Sequence, residues 1–484
     1  MRLALKNSQL GLRNSTTRMP FRYGVASLTR CPQAVVRVTI ECQGQVRDGF
    51  SGDCLPPSWF DKSPGKDFEQ QVDDMLRVIA LSRRVYADAF ATATAFFPAW
   101  LACHDEIQKN CTALGVPPLL ASFGSSLLER ALIDAVCRRH GVSFARAVHD
   151  NLLGIDAGLV HADLRGLAPA DWVPAEPVRS IFVRQTVGLG DALLVADIPP
   201  GDAVGDGRPQ ALEEYVTRQG VRYCKVKVSN QLDHDLDRLT RIARLLQQHR
   251  GADYRLTLDG NEQYKHAAEF EGLIDGIRAS PDLTTLWDNL LAIEQPFDRA
   301  IAWTPACAEA VREVSRARPV IIDESDGTLD AYPRALAAGY RGVSSKNCKG
   351  ALKSLLNAGL TWVANDSGRR HDFLMTGEDL CAVGVVPVQS DLCLAATLGL
   401  DHVERNGHHY HPGLSYLPEA VREAALAAHP DFYTREHGIV APRIRDGRFD
   451  VASLQCLGFG FAVEPDMSTM EAEDRWTFAS LWTS

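Results

Sequence analysis

Through the middle of this chain, short apolar or alternating runs recur, each cut off by Gly, Asp, Glu or Pro and followed by a stretch of helical periodicity. Residues 254–258 show the pattern most clearly. Leu256 and Leu258 alternate with Arg255 and Thr257, the period of two that a pleated strand imposes. Asp259-Gly260-Asn261 then supplies a turn that leaves a carboxylate at the strand's C-terminal end. Residues 290–293 repeat the arrangement ahead of Glu294-Gln295-Pro296, and residues 319–322 ahead of Asp323-Glu324-Ser325. Upstream, residues 223–228 carry Lys225 and Lys227 two positions apart, and downstream residues 342–345 run into Lys346. The strand-end groups thus follow in the order Lys-x-Lys, Asp, Glu, Asp, Lys.

The alternation extends on both sides. Residues 179–187 are expected to form the first strand of the series, followed by a Gly-, Pro- and Asp-rich loop at 199–208 and a helix at 212–218. Residues 350–369 read as a helix, 373–376 as a seventh strand ending at Gly377-Glu378-Asp379, and 402–404 as an eighth. Strands alternating with helices argue for a parallel sheet. Enough such units close into a barrel, whose chemistry sits at the C-terminal strand ends. The predicted class is α/β, a TIM-type (β/α) barrel. Ahead of it, the β-branched content of residues 33–41 predicts a strand. A loop with exposed aromatics, Trp59 and Phe60, comes next, then helical periodicity over 68–79. Residues 125–152 read as helices with Leu127, Leu128, Ala131, Leu132 and Val136 on one apolar face.

Composition removes several function classes. With 484 residues the chain is long enough for more than one domain. The 45% hydrophobic and 23% charged content is that of a soluble globular protein, and a net charge of −10 without a basic run argues against nucleic acid. No uninterrupted apolar stretch is long enough to span a bilayer. Residues 1–6 are basic but lack the apolar core of a secretory signal. The 12 cysteines form no Cys-x-x-Cys pair and sit among apolar neighbours, as reduced core thiols of a cytoplasmic protein do.

Three acids at successive strand ends would converge as oxygen ligands for a hard cation such as magnesium. Lys225 and Lys227 share one side of their strand, and Lys346 would approach from across the barrel. A Lys-x-Lys alone is most simply a solvated strand face, and acids at strand ends are most simply turn formers; five such elements in this order are not. The ordered set Lys225-x-Lys227, Asp259, Glu294, Asp323, Lys346 resembles the enolase superfamily, in its muconate-lactonizing-enzyme and mandelate-racemase-like, Lys-x-Lys subgroup.

The resemblance spans most of the chain and implies an enolase-like modified barrel under an α+β capping domain built from the N-terminal region and the C-terminal tail. On that pattern residues 1–175 form the cap, 176–440 the barrel, and 441–484 a segment returning to the cap. Where the family usually has a Pro-Gly-Leu-Gly turn, this chain has Cys456-Leu457-Gly458-Phe459. The implied roles are Asp259, Glu294 and Asp323 as ligands of Mg2+, with Mn2+ as a substitute. Lys225 lies near a substrate carboxylate, and Lys227 and Lys346 handle protons on opposite faces. Asn261, Glu324, Trp59, Glu378 and Glu404 are candidate substrate-contacting or supporting groups. Trp59 and Phe60 either face substrate or pack beneath the loop. Lys349, past the strand end, is a rival to Lys346, and His408, His409 and His411 are read as surface or supporting residues rather than ligands.

Such a site abstracts the proton α to a carboxylate through an enediolate, and lysine bases working with magnesium are an established feature of the superfamily. A neutral base at pH 7 requires a lysine depressed from its free pKa of roughly 10.4, and a second ammonium two residues away disfavours the charged form. Cys224 and Cys348 lack a paired base, which argues against nucleophilic catalysis. The function implied is a racemase or epimerase of a small carboxylate, with a cycloisomerase, dehydratase or ammonia lyase on the same scaffold as the alternative. An inactive member acting as a binding protein is the alternative of another class. The partners implied are the carboxylate and further copies of the chain in a homo-oligomer, without nucleic acid or membrane.

Overall fold

Eight parallel strands close a barrel in the computed structural model, which describes residues 1–23, 26–367 and 372–483. Ahead of them lie β1 (Arg2–Tyr23), β2 (Ala26–Cys42), β3 (Gln45–Cys54) and the two-residue β4 (Thr94–Ala95). The barrel strands are β5 (Ser180–Val187), β6 (Tyr223–Lys227), β7 (Arg255–Asp259), β8 (Leu290–Glu294), β9 (Val320–Ile321), β10 (Gly342–Ser345), β11 (Leu374–Gly377) and β12 (His402–Arg405). Each pairs in parallel with its sequence neighbour, β12 returns to β5, and an Ile322–Val343 bridge joins β9 to β10. All eight fall where the apolar runs predict them. The helix expected over 350–369 is observed as Ala351–Ser367, and Arg369 lies outside the described residues.

The register places the chemistry. Lys227 pairs with Asp259, and Asp259 with Glu294, so the three occupy one layer at the barrel's C-terminal rim. A Cβ on Gly260 would meet Pro296 Cα at 2.6 Å, so only glycine allows the turn after Asp259 to lie against the turn after Glu294.

The cap is an antiparallel sheet in the order β16, β1, β2, β3, where β16 (Glu471–Ala472) comes from the C-terminal tail and β4 pairs with the start of β1. Before it, a hairpin of β13 (Tyr433–Glu436) and β14 (Ile439–Pro442) forms, and β15 (Arg448–Asp450) adds antiparallel to β5. Gly458, at φ +87°, makes a turn in the C-terminal tail, and Phe459 N–H donates to Asp134.

Helices α1 (Phe68–Ala89), α2 (Phe96–Ala113) and α3 (Pro118–His140) pack on this sheet. The single apolar face expected after Ser125 is corrected: every residue of α3 from Leu119 to Cys137 is buried. The helix is wedged against the cap sheet, so closely that a Cβ on Gly49 would meet Ala131 O at 2.3 Å. Its charges are paired accordingly. Arg130 bonds Asp53 at 2.8 Å, Asp134 accepts from Phe50 and Phe459, and Glu129 accepts from Trp100 and Leu352.

The loop carrying Trp59 and Phe60 is also corrected, because both rings are buried, at 5% and 2% exposure. Phe60 packs on Phe123 of α3 at 4.4 Å, and Arg299 from beyond β8 donates to the carbonyl oxygens of Trp59 and Phe60. No described helix is long and apolar enough to cross a membrane, and all 12 cysteines are free, 11 of them buried.

Candidate active site

Five strand ends deliver the charges that the sequence singles out, and all are buried. Lys225 Nζ, on β6, lies 2.8 Å from Glu294 Oε1, 2.6 Å from Glu378, and 3.1 Å from both Glu404 and Asp259. Lys227, two residues on, reaches Asp259 Oδ2 at 2.5 Å. Across the barrel Lys346 Nζ meets Asp323 Oδ2 at 2.6 Å, and Trp59 lays its ring 4.4 Å from the same ammonium. Asn261 donates to Glu324 at 3.1 Å and, through its backbone, to Asp259 at 2.8 Å.

Lys349 is not a rival to Lys346 for the same position. It turns back beneath β10 and bonds Asp323 Oδ1 (3.1 Å), Ser344 O (2.7 Å) and Ser344 Oγ (2.9 Å). Ser344 Oγ also donates to that Oδ1 at 2.6 Å. One oxygen of Asp323 is thus tied inside the fold, while the other meets Lys346. Gln295, at φ 35°, adds a clamp: its Oε1 accepts from Asp323 N–H at 2.9 Å and its Nε2 donates to Ser325 Oγ.

Electrostatics follow from charges held out of water. Burial alone would lower Lys225, but Asp259, Glu294, Glu378 and Glu404 hold it well above the usual lysine range. Lys346 is likewise raised, against burial, by Asp323. Burial, then Asp259 and Glu378, pushes Glu294 well up, whereas Lys346 and Lys349 outweigh burial to hold Asp323 well below the carboxylate range. The depressed lysine expected from sequence is therefore not seen at Lys225 or Lys346, because each ammonium is bonded to carboxylates. Among the described residues no group of three His, Cys, Asp or Glu side chains stands where it could hold a metal ion as placed. The ammonium of Lys225 lies between the acids instead. The donor set still fits a hard divalent cation: three carboxylates without sulfur or imidazole, and Glu294 Oε2, though 2.8 Å from Lys225 Nζ, accepts no well-directed hydrogen bond.

Above the rim a cavity is lined by Lys227, Lys346, Asn261, Glu404 and Trp59, among others. Lys225, Asp259, Glu294, Asp323, Glu324 and Glu378 lie outside its lining. Three groups absent from the sequence reading also matter. Phe21 and Tyr23, at the far end of β1, form part of the cavity wall. Glu262 latches the loop: Arg299 grips it through two bonds of 2.7 and 2.8 Å, and Lys62 Nζ lies 2.6 Å away. Alternation of Phe21 and Tyr23 in an extended run was the available signal for the wall; no local signal pairs Glu262 with Arg299.

His408, His409 and His411 are buried rather than on the surface. Burial lowers all three, His411 to about 4, so they are neutral, and His408 Nε2 bonds Gln185 at 3.0 Å. Burial pushes Cys224 up to about 12 and Cys348 well above its usual value, so neither is a ready nucleophile.

No protein-family model and no curated protein sequence matches the chain. Solved structures do. The chain is similar to 2-chloromuconate cycloisomerase from Rhodococcus opacus 1CP, with 15% identity and a TM-score of 0.60 over 95% of this chain and 97% of that one. It is also similar to a dipeptide epimerase from Enterococcus faecalis V583 complexed with Mg and the dipeptide L-Leu-L-Tyr, with 11% identity and a TM-score of 0.57 over 95% and 99%. A further match is a member of the enolase superfamily from Enterococcus faecalis V583, with 17% identity and a TM-score of 0.57 over 95% of both chains. The fold, a barrel beneath a capping domain, is the one these proteins share.

Proposed function

We propose that this chain, on its enolase-superfamily fold, abstracts the proton α to a carboxylate with a bound Mg2+, or Mn2+ in its place, and acts as a racemase or epimerase of a small carboxylate. In this reading residues 176–440 are the catalytic barrel, and residues 1–175 and 441–484 supply the cap.

One observation carries the reading. Lys227 and Lys346 line the same cavity from β6 and from the end of β10, four strands apart in a closed ring of eight. Two lysines facing one space from opposite walls would suit removal of a proton from one face of a carbon and return to the other. One would be the neutral amine that takes the proton and the other the ammonium that gives one back, once a cation rather than the lysines balances the acids. Asp259, Glu294 and Asp323 would hold the cation. Bound there, it would neutralise the charge that builds on the substrate's carboxylate oxygens, help worth several kcal/mol. Asp323 presents one oxygen because Lys349 and Ser344 hold the other. Trp59 and the latched loop keep water from the lysines. Lys225, bonded to four carboxylates, would compensate the charge of the acids and lie near the substrate carboxylate. The epimerase's structure is complexed with Mg and a dipeptide, which supports a metal-assisted reading. A cycloisomerase, dehydratase or ammonia lyase would use the same groups with only one lysine moving a proton.

The test is exchange of the α-proton in deuterated water, followed by NMR across a range of small carboxylates with Mg2+ and with a chelator. Metal-dependent exchange is expected. Exchange that survives exhaustive chelation, or none with any carboxylate, overturns the proposal.

A further inference from the structure

The cavity between the lysines is divided by chemistry. One wall is apolar, made by Phe21, Tyr23, Pro56, Trp59 and Leu380. Tyr23 spends its hydroxyl on Pro57 O at 2.7 Å, so it offers the cavity only its ring. Phe21 is stacked on Tyr410 at 4.1 Å and packs tilted against Tyr23 at 4.7 Å, and Arg299 holds the backbone of Trp59. The wall is therefore fixed in place from three sides.

The polar part of the lining has little left to give. Asp379 accepts from the backbone N–H groups of Ala382 (2.6 Å), Asn406 (2.9 Å) and Gly407 (3.0 Å) and pairs with Arg405. Glu404 accepts from Thr186 Oγ1 at 2.8 Å and from Lys225 at 3.1 Å. Among the described residues no arginine lines the cavity, and the only cations that do are the two lysines to which the proposed proton transfer is assigned. A second anionic group on the substrate would meet Asp379 and Glu404 and find no cation of its own. A chain of hydroxyls would find two amides, Asn261 and Asn406, and otherwise lose its water unpaid.

We propose that the substrate is a monocarboxylate with an uncharged apolar or aromatic substituent, neither a dicarboxylate nor a polyhydroxy acid. The substituent packs on the Phe21, Tyr23 and Trp59 wall while the carboxylate faces the cation that the three acids would hold beneath the cavity. This rests on the proton-abstraction reading and specifies its substrate. One methylene in such a pocket changes kcat/KM by about 10- to 200-fold.

The test uses the intact Mg2+-loaded protein and two compound series of constant core. The N-acetyl derivatives of alanine, leucine, methionine and phenylalanine are compared with N-acetylglutamate, and mandelate and 2-hydroxy-4-methylpentanoate with malate and gluconate. Expected is α-proton exchange at least about tenfold more efficient for leucine or phenylalanine than for alanine, and for methionine than for glutamate. Faster exchange of N-acetylglutamate, malate or gluconate overturns the inference. If no compound exchanges, the proton-abstraction reading fails, and calorimetric affinity for the same compounds decides the inference separately. Tighter binding of the apolar members then supports it; tighter binding of the anionic or polyhydroxy members, or no binding, overturns it.

Discussion

Replacing Lys225 with methionine tests whether its ammonium is the ion that holds the acids together. Its Nζ has four carboxylates within 3.1 Å. Glu378 retains Arg184, and Asp259 retains Lys227, but among the described residues Glu294 has no other cation in bonding distance. Methionine keeps the unbranched chain as far as Cε and removes the ammonium. Removing one partner of a buried ion pair costs about 3–5 kcal/mol. At about 2 °C per kcal/mol for a chain of this size, the chelated variant should melt about 6–10 °C lower at pH 8. The sign with pH follows from Glu294, which burial already pushes well up. Without Lys225 its folded value rises further, so the folded state binds a proton more tightly than the unfolded one. Parent and variant both lose stability as pH rises above the unfolded carboxylate value of about 4.3. The variant's deficit grows where pH passes from the parent's folded Glu294 value toward the variant's higher one, so it should be no larger at pH 5 than at pH 8. Magnesium at about 100 times its Kd should return about 2.7 kcal/mol. Thermal unfolding by circular dichroism, with chelator or Mg2+ at both pH values, reads all three. A melting point at pH 8 equal to the parent's, or a deficit that shrinks between pH 5 and pH 8, would refute the reasoning.

Glu294→Gln keeps the shape of one proposed ligand without its charge, and calorimetry should show Mg2+ affinity falling by more than about 100-fold, beyond the loss typical of a supporting residue. Trp59→Ala removes the ring 4.4 Å from Lys346, an interaction worth about 0.5–2 kcal/mol, so kcat/KM for α-proton exchange should drop by about 2- to 30-fold while Mg2+ affinity holds. Asp391 is pushed by burial to about 7 despite Arg405; its raised folded value means stability is lost as pH rises from about 4 toward 7. Asp391→Asn should therefore flatten the parent's melting curve against pH in that window by up to about 1.4 kcal/mol per pH unit, and an unchanged slope contradicts the assignment.

The barrel was legible because its strands announce themselves locally. A buried run such as residues 290–293 needs no distant partner to be recognised, and the turns that stop each run are the same ones that place Asp259, Glu294 and Asp323. Long-range pairing hid the rest. β1 carries Asn7, Ser8, Gln9, Asn14, Ser15, Thr16 and Thr17, too polar to read as a strand, and its 22 residues are extended because β2 and β16 pair with them. The burial of Trp59 depends on Arg299, 240 residues away. Lys349 was placed past the strand end, which is correct in sequence; a single 3₁₀ turn, Asn347–Lys349, folds it back under Asp323.

Lys227→Ala and Lys346→Ala, each followed by NMR in deuterated water with both enantiomers of one exchanging carboxylate, test the central claim most directly. A lysine on one wall of the barrel cannot reach past the substrate to its far face, and losing a general base typically costs about 10²–10⁴-fold. The account predicts reciprocal losses: each variant stops deuterium entering one enantiomer and leaves exchange of the other. If one lysine alone supports exchange from both enantiomers, and the other alters only binding, the two-face account is wrong.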